Sequence, residues 1–275
     1  MIKDILLIKR DIPALEPEIV ATVFGYPIAN SVVMGLLITL LLFFVGLFTY
    51  KAYRLKPSKV QLSFEVLYGA IIDLVKQLTG GSEKHASRIS LIIFALLVYL
   101  LITNLIGFIP GLSQITVGDM ALFKAPSADF NTTFALALGA VIAIQAAAVY
   151  EKGAAKYIMG YFPVDKVFNG FKKSAGAGAI SFIDVFVGLL DLVGEAAKVV
   201  SLSLRLFGNM FAGNVLAVII LGASAYLLPA LWMGMNLFTS LLQALVFAAL
   251  IAAYYMLAMP EEAPEPQEAP LLAKK

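Results

Sequence analysis

One long apolar stretch of the chain carries a line of polar and charged side chains. At about 100° per residue, their spacing places them within about 80° of one another on a helix. They are Asp184, Asp191, Glu195, Lys198, Arg205 and Asn209. Ionisable groups that share one face inside a membrane indicate an ion path, a proton relay or a buried polar network. The alternative for the first four is that they simply pair with one another near one end of the helix.

Arg205 lies about halfway along this line, in the apolar stretch 201–220. An arginine at mid-membrane costs about 2.5–3.5 kcal/mol on insertion scales, and it cannot lose its proton to escape that cost. The nearest carboxylate on its own face is Glu195, about 15 Å away along the helix axis. The sequence therefore predicts that another subunit supplies a carboxylate. It also predicts a fixed charge that blocks direct passage of a cation, as in the stationary part of a proton- or sodium-driven rotor.

The last apolar segment of the chain adds uncharged polar groups, namely Asn236, Thr239, Ser240 and Gln243. The carboxamide of Gln243 has the length and the hydrogen-bonding groups to reach across to an arginine. The ordinary alternative is that such side chains hold two membrane helices together.

The composition indicates an integral membrane protein. Of the 275 residues, 61% are hydrophobic and 14% are charged, whereas soluble domains carry about 25% charged residues. The apolar runs are too long and too continuous for barrel strands, so an all-α membrane fold is predicted. The chain has no cysteine, which excludes a disulfide or a thiolate metal site.

Apolar runs long enough to cross a bilayer occur at 29–50, 89–109 and 131–150. Loops rich in Lys and Arg follow the first and third runs, and such loops stay cytoplasmic. The segment 1–28 is therefore expected outside and the tail 260–275 in the cytoplasm, with five spans in all. The beginning of the chain lacks the pattern of a signal or transit peptide, which favours a bacterial inner membrane or an organelle-encoded protein.

Two further segments have unusual patterns. The segment 59–80 has apolar residues at helical spacing and a polar stripe, which predicts an amphipathic helix on the cytoplasmic surface. A connector packed on its own protein is the alternative. The segment 180–259 predicts a hairpin of overlong helices, because 43 residues without a break extend about 65 Å and the hydrocarbon core is about 30 Å thick. Such helices must tilt, and they suggest a curved surface that follows a large partner.

Four ordered motifs resemble subunit a of the F-type ATP synthase. They are SLSLRLFGNMFAGN at 201–214, NLIGFIPG at 104–111, PSADFNTTFALALG at 126–139 and LLQALVFAALIAAYY at 241–255. The resemblance covers roughly residues 58–262. It implies a stator subunit with two offset half-channels, which pass H+ or Na+ to and from a carboxylate of the c-ring. It also implies peripheral-stalk b subunits as partners.

The resemblance assigns roles to several of the residues above. Arg205 corresponds to the family's essential arginine, with Asn209 and Gln243 as the polar residues beside it. Asp191 stands at the place of an acidic residue of the cytoplasmic half-channel, and Lys198 and Ser201 lie nearby.

The remaining acidic residues of the line, Asp184 and Glu195, share the face of Arg205 on the side of the basic loop. From that position alone, we expect them to line the inner aqueous path together with Asp191.

The resemblance breaks down on the outer side. Bacterial family members usually carry Glu at position 214 and often carry His at position 236, and mitochondrial members tend to exchange the two, but this chain has Asn214 and Asn236. A carboxamide holds water but does not titrate. We expect ions to enter through water held by these two side chains, with Asp119 or Asp129 concentrating cations at the mouth.

Other functions remain open at this point. A nucleotide-binding motif is absent from the sequence, so no cofactor, no nucleic-acid partner and no catalytic activity of the chain itself are expected. A secondary transporter would show two related halves, and no internal repeat is visible. The alternatives are a stator subunit of another ion-driven membrane motor and a membrane scaffold without an ion path.

Overall fold

The computed structural model describes residues 17–51, 53, 57–78, 83–109, 116–117, 120–121, 123–163, 172, 175–223 and 227–259. Most of them belong to helices, which are α1 (Asn30–Lys51), α2 (Lys59–Leu78), α3 (Glu83–Gly107), α4 (Phe130–Lys152), α5 (Ala154–Tyr161), α6 (Ala175–Ala223) and α7 (Leu227–Ala258). A 3₁₀ helix (Pro126–Ala128) and two short antiparallel hairpins complete the regular elements of the described part. The hairpins pair β1 (Ile19–Val23) with β2 (Tyr26–Ala29), and β3 (Thr116–Val117) with β4 (Met120–Ala121). The predicted tail 260–275 and most of the predicted segment 1–28 lie outside the described residues.

Four of these helices are long and apolar enough to cross a membrane. They are α1, the Ser87–Gly107 part of α3, α4 and α7. The predicted fold class, an all-α membrane protein, is thereby confirmed. The count of five spans stays a prediction. The two hairpins were not predicted, because their strands of two to five residues are too short to show an alternating pattern.

The core lies where α3, α4, α6 and α7 meet, and small residues allow the close approach. Ala137, Ala140 and Ala148 of α4 are buried, as are Ala244 and Ala248 of α7. In a membrane bundle such small side chains let two backbones approach and gain van der Waals contact. Larger residues fill the remaining space, and the largest fully buried ones include Tyr255, Phe247, Leu97 and Leu206.

A buried polar contact fixes the register between α3 and α7. The amide of Asn104 donates to the carbonyl of Ser240 at 3.0 Å, and both residues are almost completely buried. The hydroxyl of Ser240 in turn donates to the Met210 sulfur of α6 at 3.4 Å. The resemblance motif that begins at Asn104 therefore has a structural role in joining helices.

One face of the amphipathic helix α2 packs on the protein itself. Its residues Ile71 and Val75 are buried in the core, and the Tyr68 ring contacts Phe94 of α3 edge to face. This packing is expected of the connector alternative, while Val60 and Val66 stay exposed. Its position at the cytoplasmic surface stays a prediction.

The long helix α6 runs without a break for 49 residues, which corresponds to about 73 Å along its axis. It packs on α4, α5 and α7. Helix α5, which was not predicted, reaches α6 at Gly188, where a Cβ would overlap the carbonyl of Tyr161. A glycine is needed at this contact because the backbone of α5 lies directly against α6.

Hydrogen bonds join the β1–β2 hairpin to the β3–β4 hairpin and to α1. The backbone N–H of Asn30 donates to the carbonyl of Glu18 at 2.9 Å, and the Glu18 carboxylate accepts the N–H of Ala121 at 2.6 Å. The side chain of Asn30 also donates to the Ala121 carbonyl at 3.1 Å. These bonds hold the open end of the β1–β2 hairpin in place at the start of α1.

Candidate functional site

The predicted polar line lies along α6 with uneven exposure. Asp191, Ser201 and Arg205 are exposed, whereas Asp184, Glu195, Lys198, Asn209 and Asn214 are half-buried. On α7, Asn236 is buried and Gln243 is half-buried. The line is therefore not one uniform surface. It divides into an inner group around Glu195, an exposed centre at Arg205 and an outer group around Asn209 and Asn236.

The inner group is a hydrogen-bonded network across four helices. The Lys198 ammonium donates to Glu195 Oε1 at 2.6 Å, and the Gln145 amide of α4 donates to Glu195 Oε2. The Tyr157 hydroxyl of α5 donates to Gln145 Oε1 at 2.5 Å. Lys198 also lies 5.2 Å from the ring centroid of Tyr254 on α7. Glu195 and Lys198 thus pair with each other, as the alternative interpretation proposed for this part of the line.

A cavity of about 200 Å³ opens beside this network, between α4, α5 and α6. Its lining includes Gln145, Tyr157, Tyr161, Leu192 and Glu195. Burial raises the pKa of the Tyr161 hydroxyl, and the hydrogen bond to Tyr157 and the negative charges of Glu195 and Asp191 raise it further. Tyr161 therefore remains a neutral hydrogen-bonding group at physiological pH.

Sequence reasoning missed the partners that α4 and α5 bring to Glu195. Gln145 is the only strongly polar side chain in the middle of α4, and this isolation was a usable signal. The two tyrosines of α5 stand four residues apart, so they share one helix face. Because the two tyrosines lie far from Glu195 in the sequence, no local pattern indicated this contact.

Arg205 is exposed and stands apart from both groups. Within the described part of the chain it makes no ion pair and no side-chain hydrogen bond. Two amide nitrogens, Asn209 Nδ2 on α6 and Gln243 Nε2 on α7, are buried without a hydrogen-bond acceptor. The expected hydrogen bond, in which the Gln243 amide oxygen would accept from the Arg205 guanidinium, is not formed among the described residues. The guanidinium and the two amide nitrogens are therefore all uncommitted donors.

The outer group lines a second cavity, of about 180 Å³, between α6 and α7. Asn209, Asn236 and Thr239 supply its polar side chains, and Trp232 and Leu216 supply apolar walls. The Trp232 indole N–H donates to the carbonyl of Gly213 at 3.1 Å and thereby ties the two helices together. Asn214 is half-buried and is not among the residues that line this cavity.

Asp129 does not have the position that was expected of it. The residue is 2% exposed, and its carboxylate caps the N-terminus of α4, where it accepts from the N–H of Asn131 at 3.1 Å and the hydroxyl of Thr132 at 3.0 Å. It also accepts from Ser31 of α1 at 2.5 Å. A buried, fully bonded carboxylate cannot concentrate cations at a channel mouth, so that prediction was wrong for Asp129. Asp119 lies outside the described residues.

The nearby cation Lys124 further reduces the field of Asp129. Burial lowers the pKa of the Lys124 ammonium, and the negative charges of Asp129 and Glu18 oppose that shift. Lys124 therefore interacts electrostatically with both carboxylates.

A bundle of membrane-length helices with a charged face defines the class of integral membrane proteins that handle ions. The chain matches the family model of the ATP synthase A chain over residues 31–256, so it belongs to that family, whose members are the non-catalytic subunit a of the Fo ion-translocating sector. The resemblance found in the sequence is thereby confirmed.

Individual relatives agree with the family match. The chain is 32% identical to "ATP synthase subunit a, sodium ion specific" of Propionigenium modestum over 86% of its own length and 76% of the relative. It is 29% identical to ATP synthase subunit a of Geotalea daltonii, over 82% of this chain and 86% of that one. The corresponding protein of Acidothermus cellulolyticus is 30% identical, over 84% and 75% of the two chains.

Proposed function

We propose that this chain is the stator ion-channel subunit of a rotary F-type ATP synthase, with two offset half-channels separated by Arg205. The observation that carries the proposal is the position of Arg205 on α6. The inner cavity reaches α6 at Leu192 and Glu195, the outer cavity reaches it from Asn209 to Leu216, and the exposed arginine lies between them.

The spacing along α6 supports the separation of two paths. Glu195 precedes Arg205 by about 15 Å of helix rise and Asn209 follows it by about 6 Å. A cation that moved directly from one cavity to the other would have to pass the guanidinium. At a separation of 4 Å, two like charges repel by about 4 kcal/mol at an effective dielectric constant of 20. The ion must instead bind to a carboxylate of the c-ring and move with the ring as it rotates.

The uncommitted guanidinium of Arg205 supports a carboxylate as that partner. A guanidinium presents five N–H donors in a fixed fork that suits a carboxylate, and the exposed Arg205 makes no ion pair with the described residues. A ring carboxylate that arrives beside Arg205 would be held in its charged form, because the neighbouring cation lowers its pKa. The charged carboxylate is one that has already released its ion into one half-channel. It then takes up another ion from the second half-channel.

In the inner half-channel we assign the leading role to Asp191. It is exposed and makes no ion pair or side-chain hydrogen bond with the described residues, so its carboxylate is available to water and to a passing ion. Glu195 is held by Lys198 and Gln145. Ser201, one turn before Arg205, and Asp184, nearer the helix start, complete the proposed wall.

In the outer half-channel we propose that ions pass through water that is bound by carboxamide side chains. The outer cavity of about 180 Å³ is large enough to hold several waters, and Asn209, Asn236 and Thr239 offer both donors and acceptors to them. Asn214 is proposed as a second contact on the same route. Sites without charge suit conduction, because an ion must be able to leave each site as easily as it enters.

The proposal places the chain in a bacterial inner membrane, with its N-terminus outside, its C-terminus in the cytoplasm and b subunits beside it. The transported ion is H+ or Na+, and the name of the Propionigenium modestum relative supports sodium as one of the two. A scaffold without an ion path would leave Arg205 without a function, and another ion-driven motor would contradict the family match.

Replacement of Arg205 tests the proposal directly. Membrane vesicles with the complete complex are energised by an imposed ion gradient, and ATP synthesis is measured for the parent, Arg205→Ala and Arg205→Lys. Both variants are expected to assemble with the c-ring and to lose synthesis, because lysine lacks the planar fork and loses its proton when it is desolvated. Normal synthesis by an assembled Arg205→Ala complex would overturn the mechanism.

A further inference from the structure

The β1–β2 hairpin presents an apolar surface that the described part of the protein leaves uncovered. Residues 19–29 include no charged side chain, and Phe24 is 97% exposed, Tyr26 78% and Ile19 53%. An exposed group of large apolar residues on a small element usually meets a membrane or another protein.

The turn of this hairpin has an unusual residue at its tip. Phe24 has a φ of 51° and Gly25 has a φ of 83°, which is the pattern of a type I′ turn. Such turns prefer Asn or Asp before the Gly, because a bulky side chain with positive φ is strained. Strain of this kind persists where a particular side chain is needed. The chain therefore accepts an unfavourable backbone in order to place a phenylalanine at the tip.

The position of the hairpin in the fold favours lipid as what covers it. Strand β2 ends at Ala29 and the membrane-length helix α1 begins at the next residue, so no linker separates hairpin and bilayer. A strand of five residues is about 17 Å long and each interfacial layer is about 5–7 Å thick, so the proposal requires the hairpin to lie along the membrane surface. The bonds from Glu18 and Asn30 fix the open end, so the hairpin remains close to the interface.

The packing of α1 gives a reason for an anchor at this end. All of its buried residues, Asn30, Ser31, Met34, Gly35 and Ile38, lie in its first nine positions. The rest of the helix is mostly exposed, including Phe43, Phe44 and Phe48. A helix that its own protein holds at one end depends on interfacial side chains to set its depth and tilt.

We propose that the β1–β2 hairpin is an interfacial anchor that inserts Phe24 and Tyr26 among the lipid headgroups beside α1. Tyr side chains concentrate at both membrane–water interfaces, because they combine an apolar ring with a polar hydroxyl. The Phe24 ring has no polar group and would gain by burial of its apolar surface below the headgroups. The anchor is independent of the ion path and holds whether or not Arg205 acts as described above.

A spin label tests the anchor in the complete complex reconstituted in phosphatidylcholine vesicles. The chain has no cysteine, so Ala21→Cys gives this chain a single labelling site on the exposed part of the hairpin while Phe24 stays in place, and the labelled parent complex gives the background from the other subunits. Accessibility to oxygen, which concentrates in lipid, is compared with accessibility to a water-soluble nickel complex. Labels at Phe44→Cys on α1 and Lys156→Cys on α5 serve as lipid and water references, since both residues are exposed.

The label at position 21 is expected to favour oxygen over nickel more strongly than the label at position 156. Adding Phe24→Asn, which suits the turn better but removes the ring, should shift the ratio towards the water reference, and Phe24→Trp should keep it. A ratio equal to the water reference with Phe24 intact would overturn the anchor. Protection from both reagents in the complex would overturn it too, because a protein partner would then cover the hairpin.

Discussion

The carboxamide of Asn236 on α7 occupies the space that a side chain at position 213 on α6 would need. A Cβ built on Gly213 would lie closer than 3.0 Å to the Oδ1, Nδ2 and Cγ atoms of Asn236. Gly213 therefore allows the two long helices to approach at the outer cavity, and the approach places Asn236 at the cavity wall. Because Gly213 has no side chain, the side chain of Asn236 can reach the proposed ion path.

Gly213→Ala is expected to destabilise the protein and to slow ion-driven ATP synthesis. The added methyl must displace Asn236 or separate the helices, at a cost of about 1–3 kcal/mol for overpacking. The measurements are the unfolding midpoint of the purified complex and the synthesis rate in vesicles. Gly139→Ala on α4 is the matched control, because its Cβ would meet no atom within 4 Å and alanine favours a helix by up to about 1 kcal/mol.

A second substitution distinguishes a steric cause from a change in the ion path. Gly213→Ala combined with Asn236→Ala removes the collision, so the midpoint should recover while the synthesis rate stays low. If Gly213→Ala behaves like Gly139→Ala in both measurements, the close approach at position 213 is not needed.

Asp129→Ala is expected to destabilise the junction of α1 and α4 by about 1.5–5 kcal/mol. The change removes the cap of α4, which is worth about 0.5–2 kcal/mol, and leaves the buried Ser31 hydroxyl without its acceptor, which costs about 1–3 kcal/mol. Asp129→Asn keeps one oxygen acceptor and should cost less. The unfolding midpoint of the purified complex measures both.

The same variants test the role that the sequence had suggested for Asp129. If this carboxylate concentrated cations, Asp129→Asn would change how the transport rate depends on ionic strength. Because the group is buried and bonded, we expect the salt dependence of the parent and of Asp129→Asn to coincide. A clear difference between them would restore the channel-mouth role.

Asp129 also illustrates what the sequence could and could not predict. The apolar runs, the long unbroken helix and the shared face of Arg205 follow from local spacing, which no distant contact alters. The cap could have been recognised as well, because Asp is a preferred N-cap residue and Asp129 directly precedes a helical apolar run. The contact between Gln145 and Glu195 could not, since it joins two helices 50 residues apart and depends on how the bundle packs.

Cysteines on the inner face should differ in reactivity according to their exposure. In the assembled complex, Asp191→Cys is expected to react fastest with a water-soluble thiol reagent from the cytoplasmic side, followed by Asp184→Cys and then Glu195→Cys. Asp191 is exposed, whereas only 20% of the Glu195 side chain is accessible. The native chain has no cysteine, and Leu202→Cys is the buried control. Protection at all three sites would favour a buried structural network over an aqueous path.

The outer half-channel should work without a titrating relay. The driving force is about 2.3 kcal/mol per elementary charge for each 100 mV, and no ionisable side chain is among the residues that line the outer cavity. Asn236→Ala should slow turnover more than Asn214→Ala, because Asn236 lines the cavity with Asn209 and Thr239 and Asn214 does not. Neither variant should introduce a new titration into the rate profile between about pH 6 and pH 9. The alternative outcome is a sharp pKa in the parent's profile that disappears when one residue near Asn214 is replaced. In that case protons enter through an ionisable group, and water held by carboxamides is not the path.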